Sequence, residues 1–368
     1  MIFALIPGLA LIGWVLWDAF ETILLPRRVP ARMRISRFVL PWLWSVWAGL
    51  ARQIGSRPRR ENLLGLYGLL SVLTLFIVWA SGLITGFALL FWAEGSQLGG
   101  MQDMSGFAAD LYMSGTTFFT LGLGDLHPLA TIARLTTVVE AGTGFGFLAL
   151  VIAYVPVLYQ AFSRREARIT MLDEWAGSPP SAAVLLRRWS ESKDPRVLEP
   201  LLKDWELAAA EILESHLSYP ILCFFRSQHD NQSWLASLTA ILDTCALVIV
   251  GVDGIEPFQA RLTFAIGRHA LVDLSQTLRS APVELAEEPQ QSAELAELRD
   301  WLGRAGVRTA AGPEADRKLA ELRGLYLPYA RQLSELLLMP LAPSLPPAKA
   351  RYNWETSAWA KTARDDAH

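Results

Sequence analysis

"TTFFTLGLGD", residues 116–125, decides how the rest of the chain is read. Two glycines alternate with leucines between a Thr/Phe run and a lone aspartate. A strand gains nothing from those glycines, because each costs entropy and leaves no side chain to pack. A soluble turn gains nothing from the leucines. The pattern makes sense where backbone carbonyls, and not side chains, are the working groups.

Immediately before it, "SGFAADLYMSGTTFF" (105–119) fits a short helix, and "HPLA" follows it into a long apolar run, Ala130–Phe162. Another apolar run, Leu63–Trp92, comes before. The order is therefore outer helix, short re-entrant helix, extended strip, inner helix. Non-helical backbone at membrane depth is tolerated only where protein buries it or where it lines a wet cavity.

A membrane setting agrees with the composition. The 368 residues are 52% hydrophobic and 19% charged, too apolar for an ordinary soluble protein. Ile2–Leu25 is a third run long enough to span the hydrocarbon. No basic residue precedes it and "PRRVPARMRISR" follows, the reverse of a secretory leader's charge order, so it reads as a retained helix with its N-terminus outside. Residues 1–62 carry nine Arg against Asp18, Glu21 and Glu61, whereas 94–129 carry four acids and no Lys or Arg. That segregation places 26–62 and everything after 162 in the cytoplasm, and 94–129 outside.

"FVLPWLWSVWAGLARQIG" (38–55) is short of a span and flanked by arginines. It is expected to lie in the cytoplasmic interface, with Trp42, Trp44 and Trp47 at headgroup depth. After residue 162 apolar residues recur at helical spacing over 183–216, 233–251, 258–281, 292–304 and 315–338, behind a linker "DEWAGSPPSAA". Segment 233–251 is apolar enough to span, but Asp243 at its centre favours a buried core helix. The expected organisation is 1–62, an N-terminal membrane helix and a Trp-rich interfacial helix; 63–162, a pore domain; 163–339, a helical regulatory domain; and 340–368, a Pro-rich tail. The fold class is an all-α membrane protein.

"TLGLGD" on this scaffold resembles the selectivity filter of the potassium channel superfamily, whose commonest form has Val and Tyr where Leu121 and Leu123 stand. The resemblance covers 63–162 and includes Pro128 after the aspartate, Arg134 opening the inner helix, and Gly144 at the hinge position. It implies a homotetramer in a bacterial plasma membrane, conducting K+ as permeant ion with no organic cofactor. Each subunit would line the pore with carbonyls of Thr120, Leu121, Gly122 and Leu123. Gly122 and Gly124 supply the backbone angles this needs, with Leu121 and Leu123 packed behind. Four copies of Asp125 would concentrate cations at the outer mouth. The usual filter tyrosine donates a hydrogen bond that Leu123 cannot, although the family tolerates Leu there.

By register with the family, the inner-helix residues facing the cavity are Ala141, Phe145, Leu148 and Ile152. Glu140 falls one position off that line. A carboxylate there is expected to accept hydrogen bonds from Thr116 or Thr117; the rivals are an acidic ring in the cavity and a protonated acid held between helices. Tyr112 stands where many members have Trp, within possible reach of Asp125. Gly144 is read either as a gating hinge or as a close-packing position. Gly82 and Gly86 read as packing glycines.

Asp18 and Glu21 are expected to pair with Arg27 and Arg28. No helix has Arg at every third position, so a voltage sensor has no support. His269 with Asp273, and Glu211 and Glu214 with His216, read as surface pairs before they read as metal ligands. No phosphate loop, nucleic-acid patch or catalytic constellation is visible, and no metal is expected beyond K+. The expectation is a potassium-selective channel gated by the inner helix under a helical cytoplasmic domain that answers to an unknown ligand or partner. A weakly selective cation channel, or a membrane sensor or scaffold with a non-conducting pore, are the alternatives.

Overall fold

The structure, a computed structural model, describes residues 2–23, 35–100, 105–192, 194–229, 231–283 and 288–346. The chain divides into two compact units, Met1–Gln160 and Ala161–His368. Among the described residues the regular structure is helical apart from one three-residue ribbon and an isolated bridge between Val252 and Thr309.

In the first unit, α1 (Leu5–Ile23) packs along α3 (Arg57–Ala93). Small residues make that contact. A Cβ added to Gly86 would lie 2.6 Å from Ile12, one on Gly82 2.8 Å from Val15, and one on Gly8 2.9 Å from the Gly86 carbonyl. Without a hydrophobic drive between helices in lipid, close approach of backbones through glycine is how they associate. Asp18 of α1 is buried and accepts hydrogen bonds from the Trp79 indole (2.7 Å) and from the hydroxyl (3.1 Å) and amide (3.3 Å) of Ser36. Arg27 and Arg28, the partners expected from the sequence, lie outside the described residues.

The Trp-rich segment is α2 (Ser36–Gln53), packed on α3. Trp42 is exposed, but Trp44 is buried edge-on against Tyr67, and the Trp47 indole donates to the Leu63 carbonyl at 2.8 Å. Two of the three tryptophans expected at headgroup depth are thus engaged with α3. Tyr67 in turn donates to the Leu40 carbonyl, 2.8 Å away.

Beyond α3 come β1 (Leu98–Gly100), α4 (Phe107–Phe118), β2 (Leu126–Pro128) and α5 (Thr131–Ala176). The β1–β2 ribbon is antiparallel and pairs Gly100 with Leu126. No alternating pattern announces it, since three residues are too few for one. Gly100 has φ +119°, and a Cβ there would collide with the Asp125 carbonyl.

α5 continues through "SRREAR" and "DEW", which the sequence reading placed after the membrane helix and in a linker. These residues are mostly good helix formers. Termination waits for Gly177 at φ +81°, followed by Pro179 and Pro180.

The second unit adds α6 (Ala182–Glu191), α7 (Leu198–Ser218), α8 (Trp234–Gly251), α9 (Phe258–Thr277), α10 (Glu288–Arg304), α11 (Pro313–Gly324) and α12 (Leu327–Leu337). The run expected at 183–216 breaks where Asp194 accepts the Arg196 amide at 3.0 Å and Pro195 opens a new turn. The run at 315–338 breaks after Gly324. α7 lies against α9, and α8 is packed by α6, α9, α11 and α12.

Among the described residues, four helices are long and apolar enough to cross a membrane: α1, α3, α5 and α8. α8 is the most buried of them, sunk in the core of its own unit through Trp234, Leu238, Ile241, Leu242 and Cys245. Its Asp243 is paired with Arg323 at 3.1 Å and accepts from the Tyr326 hydroxyl at 2.5 Å. A charge in a core needs such partners. The Pro-rich segment from 340 is described only to 346.

Candidate ion pathway

α4 ends in a complete Schellman closure. The Leu121 amide donates to the Thr116 carbonyl (2.8 Å) and the Thr120 amide to that of Thr117 (3.0 Å). The residue between closure and strip, Thr120, has φ +56°. Glycine normally takes that position, so a threonine there holds about 1 kcal/mol or more of strain. The left-handed sense then recurs at every second residue, at Gly122 (φ +56°) and Gly124 (φ +77°), with Leu121 and Leu123 at negative φ between them. Backbone whose φ alternates in sign can turn successive peptide dipoles toward one side. No Cβ clash explains these two glycines, for an added Cβ meets nothing within 4 Å at either. Their conformation is the reason for them.

Leu121 and Leu123 are each 62% exposed. The sequence reading packed them behind the strip; within one chain nothing covers them.

The strip is closed by Asp125. Its Oδ2 accepts from the Tyr112 hydroxyl at 2.7 Å and its Oδ1 from the Leu126 amide at 3.0 Å. The reach of Tyr112 inferred from sequence is therefore present. Further out, Arg134 donates to the Pro128 carbonyl (3.2 Å) and Thr136 to Glu94 (3.1 Å), tying the start of α5 to the loop and to the end of α3.

α4 meets α5 at two points, each joining residues 26 apart in sequence. Ser114 bonds Glu140, and the carbonyl of Phe118 lies against Gly144, where an added Cβ would collide with it. Glu140 is 0% exposed. Its partner is Ser114 and not Thr116 or Thr117; Thr116 donates instead to the Met113 carbonyl at 2.9 Å. The correction is less than one helical turn, which a register carried over from a family does not resolve. Complete burial within the chain also removes Glu140 from any cavity surface. Phe145, Leu148 and Ile152 are exposed, with Ala141 half-buried among them. Gly144 has a packing reason for being glycine, and α5 is helical through it.

In the second unit a buried Arg165 went unread in the sequence. Its guanidinium donates to the carbonyls of Leu222 (2.9 Å) and Phe225 (2.8 Å), to Glu166 (3.0 Å) and to His216 Nε2 (3.0 Å), and sits 5.2 Å from the Phe162 ring centre. Arginine only donates, so Nε2 must present its lone pair and the imidazole proton sits on Nδ1, 3.0 Å from the Ser215 hydroxyl. Burial first, and then the Arg165 charge, hold His216 well below the ordinary histidine range. Burial pushes the neighbouring Cys223 thiol up to about 12.

Glu211 and Glu214, grouped with His216 in the sequence, turn elsewhere, to Arg168 (3.8 Å) and Ser218 (3.4 Å). His269 and Asp273 stand 3.7 Å apart with the histidine exposed. Among the described residues no three His, Cys, Asp or Glu side chains converge on a metal position.

Residues 71–160 match the family described as "Ion channel". The chain is 26% identical over 269 residues to a protein of Bacillus subtilis (strain 168) named "Uncharacterized membrane protein YdjJ", covering 72% of this chain and 75% of that one. No solved structure matches.

Proposed function

From an all-α membrane protein with an ion-channel domain at 71–160, we propose that the chain is one subunit of a homotetrameric, potassium-selective channel. The observation that carries this reading is the alternation of φ along Thr120–Gly124, placed between a capped re-entrant helix and the α5 span. Potassium enters a narrow pore only if oxygens replace its hydration shell. Four strips with aligned carbonyls of Thr120, Leu121, Gly122 and Leu123 supply those oxygens. The C-terminal end of α4 adds negative potential toward the same axis. Asp125, fixed by Tyr112, attracts cations to the outer mouth.

Tetramer formation accounts for the apolar surface left bare in one chain. Neighbouring copies cover Leu121 and Leu123, and Phe145, Leu148 and Ile152 line the shared cavity. Orientation follows the arginine distribution: N-terminus and 94–129 outside, the helical second unit in the cytoplasm of a bacterium, lipids around α1 and α3. Gating falls to α5, whose helix passes without a break into the second unit, with bending at Gly144 as the hinge motion. The ligand or partner that drives it is cytoplasmic. The channel needs no cofactor and performs no chemical conversion.

A second reading has one observation in its favour. Leu123 has no hydroxyl to anchor it, and a looser strip would pass sodium as well. Purified protein in planar bilayers, with potassium on one side and sodium on the other, decides. A reversal potential close to the potassium equilibrium value is expected. Reversal near zero with clear current would establish a weakly selective cation channel, and absence of current in either salt would leave a sensor or scaffold with a closed pore.

A further inference from the structure

Ser114 has one hydroxyl proton and two claimants for it. Its oxygen lies 2.8 Å from the Ile84 carbonyl of α3 and within hydrogen-bond distance of Glu140 Oε1 on α5. A carbonyl cannot donate. If Glu140 were ionised, two acceptors would compete for one proton, and one of these contacts would bring two bare oxygen lone pairs together.

A single arrangement satisfies both contacts: the acid keeps its proton and donates it to Ser114, and Ser114 donates to Ile84. We propose that Glu140 is a neutral acid at neutral pH and the positioning residue of a three-helix relay, Glu140 to Ser114 to Ile84. The relay holds α4, and with it the start of the Thr120–Asp125 strip, against α5 on one side and α3 on the other.

The surroundings agree. Ser114 and Glu140 are both 0% exposed. Glu140 Oε2 is buried and makes no hydrogen bond among the described residues, tolerable for the carbonyl oxygen of an acid and far more costly for half of a carboxylate. No described Lys or Arg pairs with Glu140. The other ionisable groups of the three helices are engaged elsewhere: Asp110 accepts from Ser96 at 2.6 Å, Glu94 from Thr136, and Arg134 donates to Pro128. Tyr112 is bonded to Asp125. Arg57, Arg59, Arg60 and Glu61 stand about six to seven turns away from Ile84 along α3, and the basic residues of α5 beyond Phe162 about as far from Glu140. Gly144, one turn below Glu140, touches the Phe118 carbonyl, so relay and glycine together fix α4 at two heights.

The functional consequence rests on the channel reading; the protonation state does not, so the test separates them. Infrared difference spectra of the full chain in lipid at neutral pH, wild type minus Glu140→Gln, should show the C=O stretch of a protonated carboxyl. That band should move in Ser114→Ala, where the acid loses its acceptor. A difference containing only carboxylate bands overturns the proposal.

Glutamine carries an N–H where the acid carries O–H, so Glu140→Gln should keep tetramer and potassium selectivity, while Glu140→Leu of similar volume loses the selectivity. If Glu140→Gln stays tetrameric but loses selectivity as Leu does, a negative charge is required and the relay is wrong. Should Glu140→Gln not fold, the band shift between wild type and Ser114→Ala decides alone: a shift supports the relay, and no movement overturns it. Lack of current in the wild type would count against the channel reading and leave the infrared result standing.

Discussion

The strip Thr120–Asp125 and the Arg165 cluster are both polar arrangements in a largely apolar chain, and they are built on opposite principles. The strip is defined by its backbone: φ alternates in sign from one residue to the next over Thr120–Gly124. The Arg165 cluster works with a side chain. One guanidinium gathers two carbonyls, an imidazole and a carboxylate in a buried place. A backbone site constrains which residues are possible at each step, so it marks the sequence with glycines at fixed spacing. A side-chain site needs one arginine and whatever carbonyls the fold brings near, and it leaves no spacing to find.

The sharpest break of the comparison is Gly122→Ala. Within one chain nothing lies within 4 Å of the added Cβ, so there the substitution acts on backbone conformation. Holding alanine left-handed costs about 1–2 kcal/mol per residue, multiplied over the copies in the proposed tetramer. Potassium current should disappear while the assembled mass by light scattering stays unchanged. Retained selective current would mean that the strip does not use the geometry seen at φ +56°.

The matching experiment on the side-chain site is Arg165→Met. It leaves two carbonyls and His216 Nε2 buried without their donor, a loss of about 3 kcal/mol or more. Denaturant unfolding of the full chain, with hydrogen exchange followed in α7 and α8, should show the second unit weakened and the 71–160 domain unaffected. Equal weakening of both would show that the cluster's role extends beyond its own unit.

Glycines of α5 sharpen the contrast from a third side. Gly142 and Gly146 face open space, whereas Gly144 abuts the Phe118 carbonyl. Gly142→Ala and Gly146→Ala should be neutral or stabilising by up to about 1 kcal/mol through helix propensity. Gly144→Ala should cost about 1–3 kcal/mol by overpacking, read as a lower melting temperature. A hinge without a packing role would instead leave stability intact and change only gating.

These cases also say why some of the molecule was legible beforehand. The order of outer helix, short helix, strip and inner helix could be read because apolar length and glycine spacing are local properties. The hydrogen bond from Tyr112 to Asp125 could be anticipated because both belong to one short loop-and-helix segment. Ser114 as the partner of Glu140 could not, because the sliding register of two helices depends on Gly144 meeting Phe118, a contact 26 residues apart. The extension of α5 to Ala176 was hidden by reading Pro179 and Pro180 as a linker beginning too early. Arg165 was hidden because a basic residue after a membrane helix already has an explanation in charge topology.

The sign of the pH dependence follows from His216. Its folded form resists protonation, so below the ordinary histidine value of about 6.5 the unfolded chain binds a proton that the folded chain refuses. The stabilisation is complete above that pH and is lost as pH falls, by at most about 1.4 kcal/mol per unit. His216→Gln keeps an acceptor for Arg165 and cannot titrate, so it should flatten this slope while leaving stability at neutral pH little changed. A slope that survives the substitution would move the acid sensitivity to another group.

The smallest effect belongs to Tyr112→Phe, and it tests where the two principles meet. The strip is shaped by its backbone, and its outer end is tied to α4 by a side-chain bond, Tyr112 to Asp125 at 2.7 Å. Removing the hydroxyl deletes this one solvent-accessible bond and leaves α4 folded, since its buried Met113 and Phe118 remain. The expected result is a folded, assembled, conducting protein with weaker discrimination between potassium and sodium or a less stable open strip, seen as a shifted reversal potential or faster decline of current. If selectivity and time course are unchanged, the alternation of φ holds the strip unaided, and Asp125 serves only to draw cations toward it.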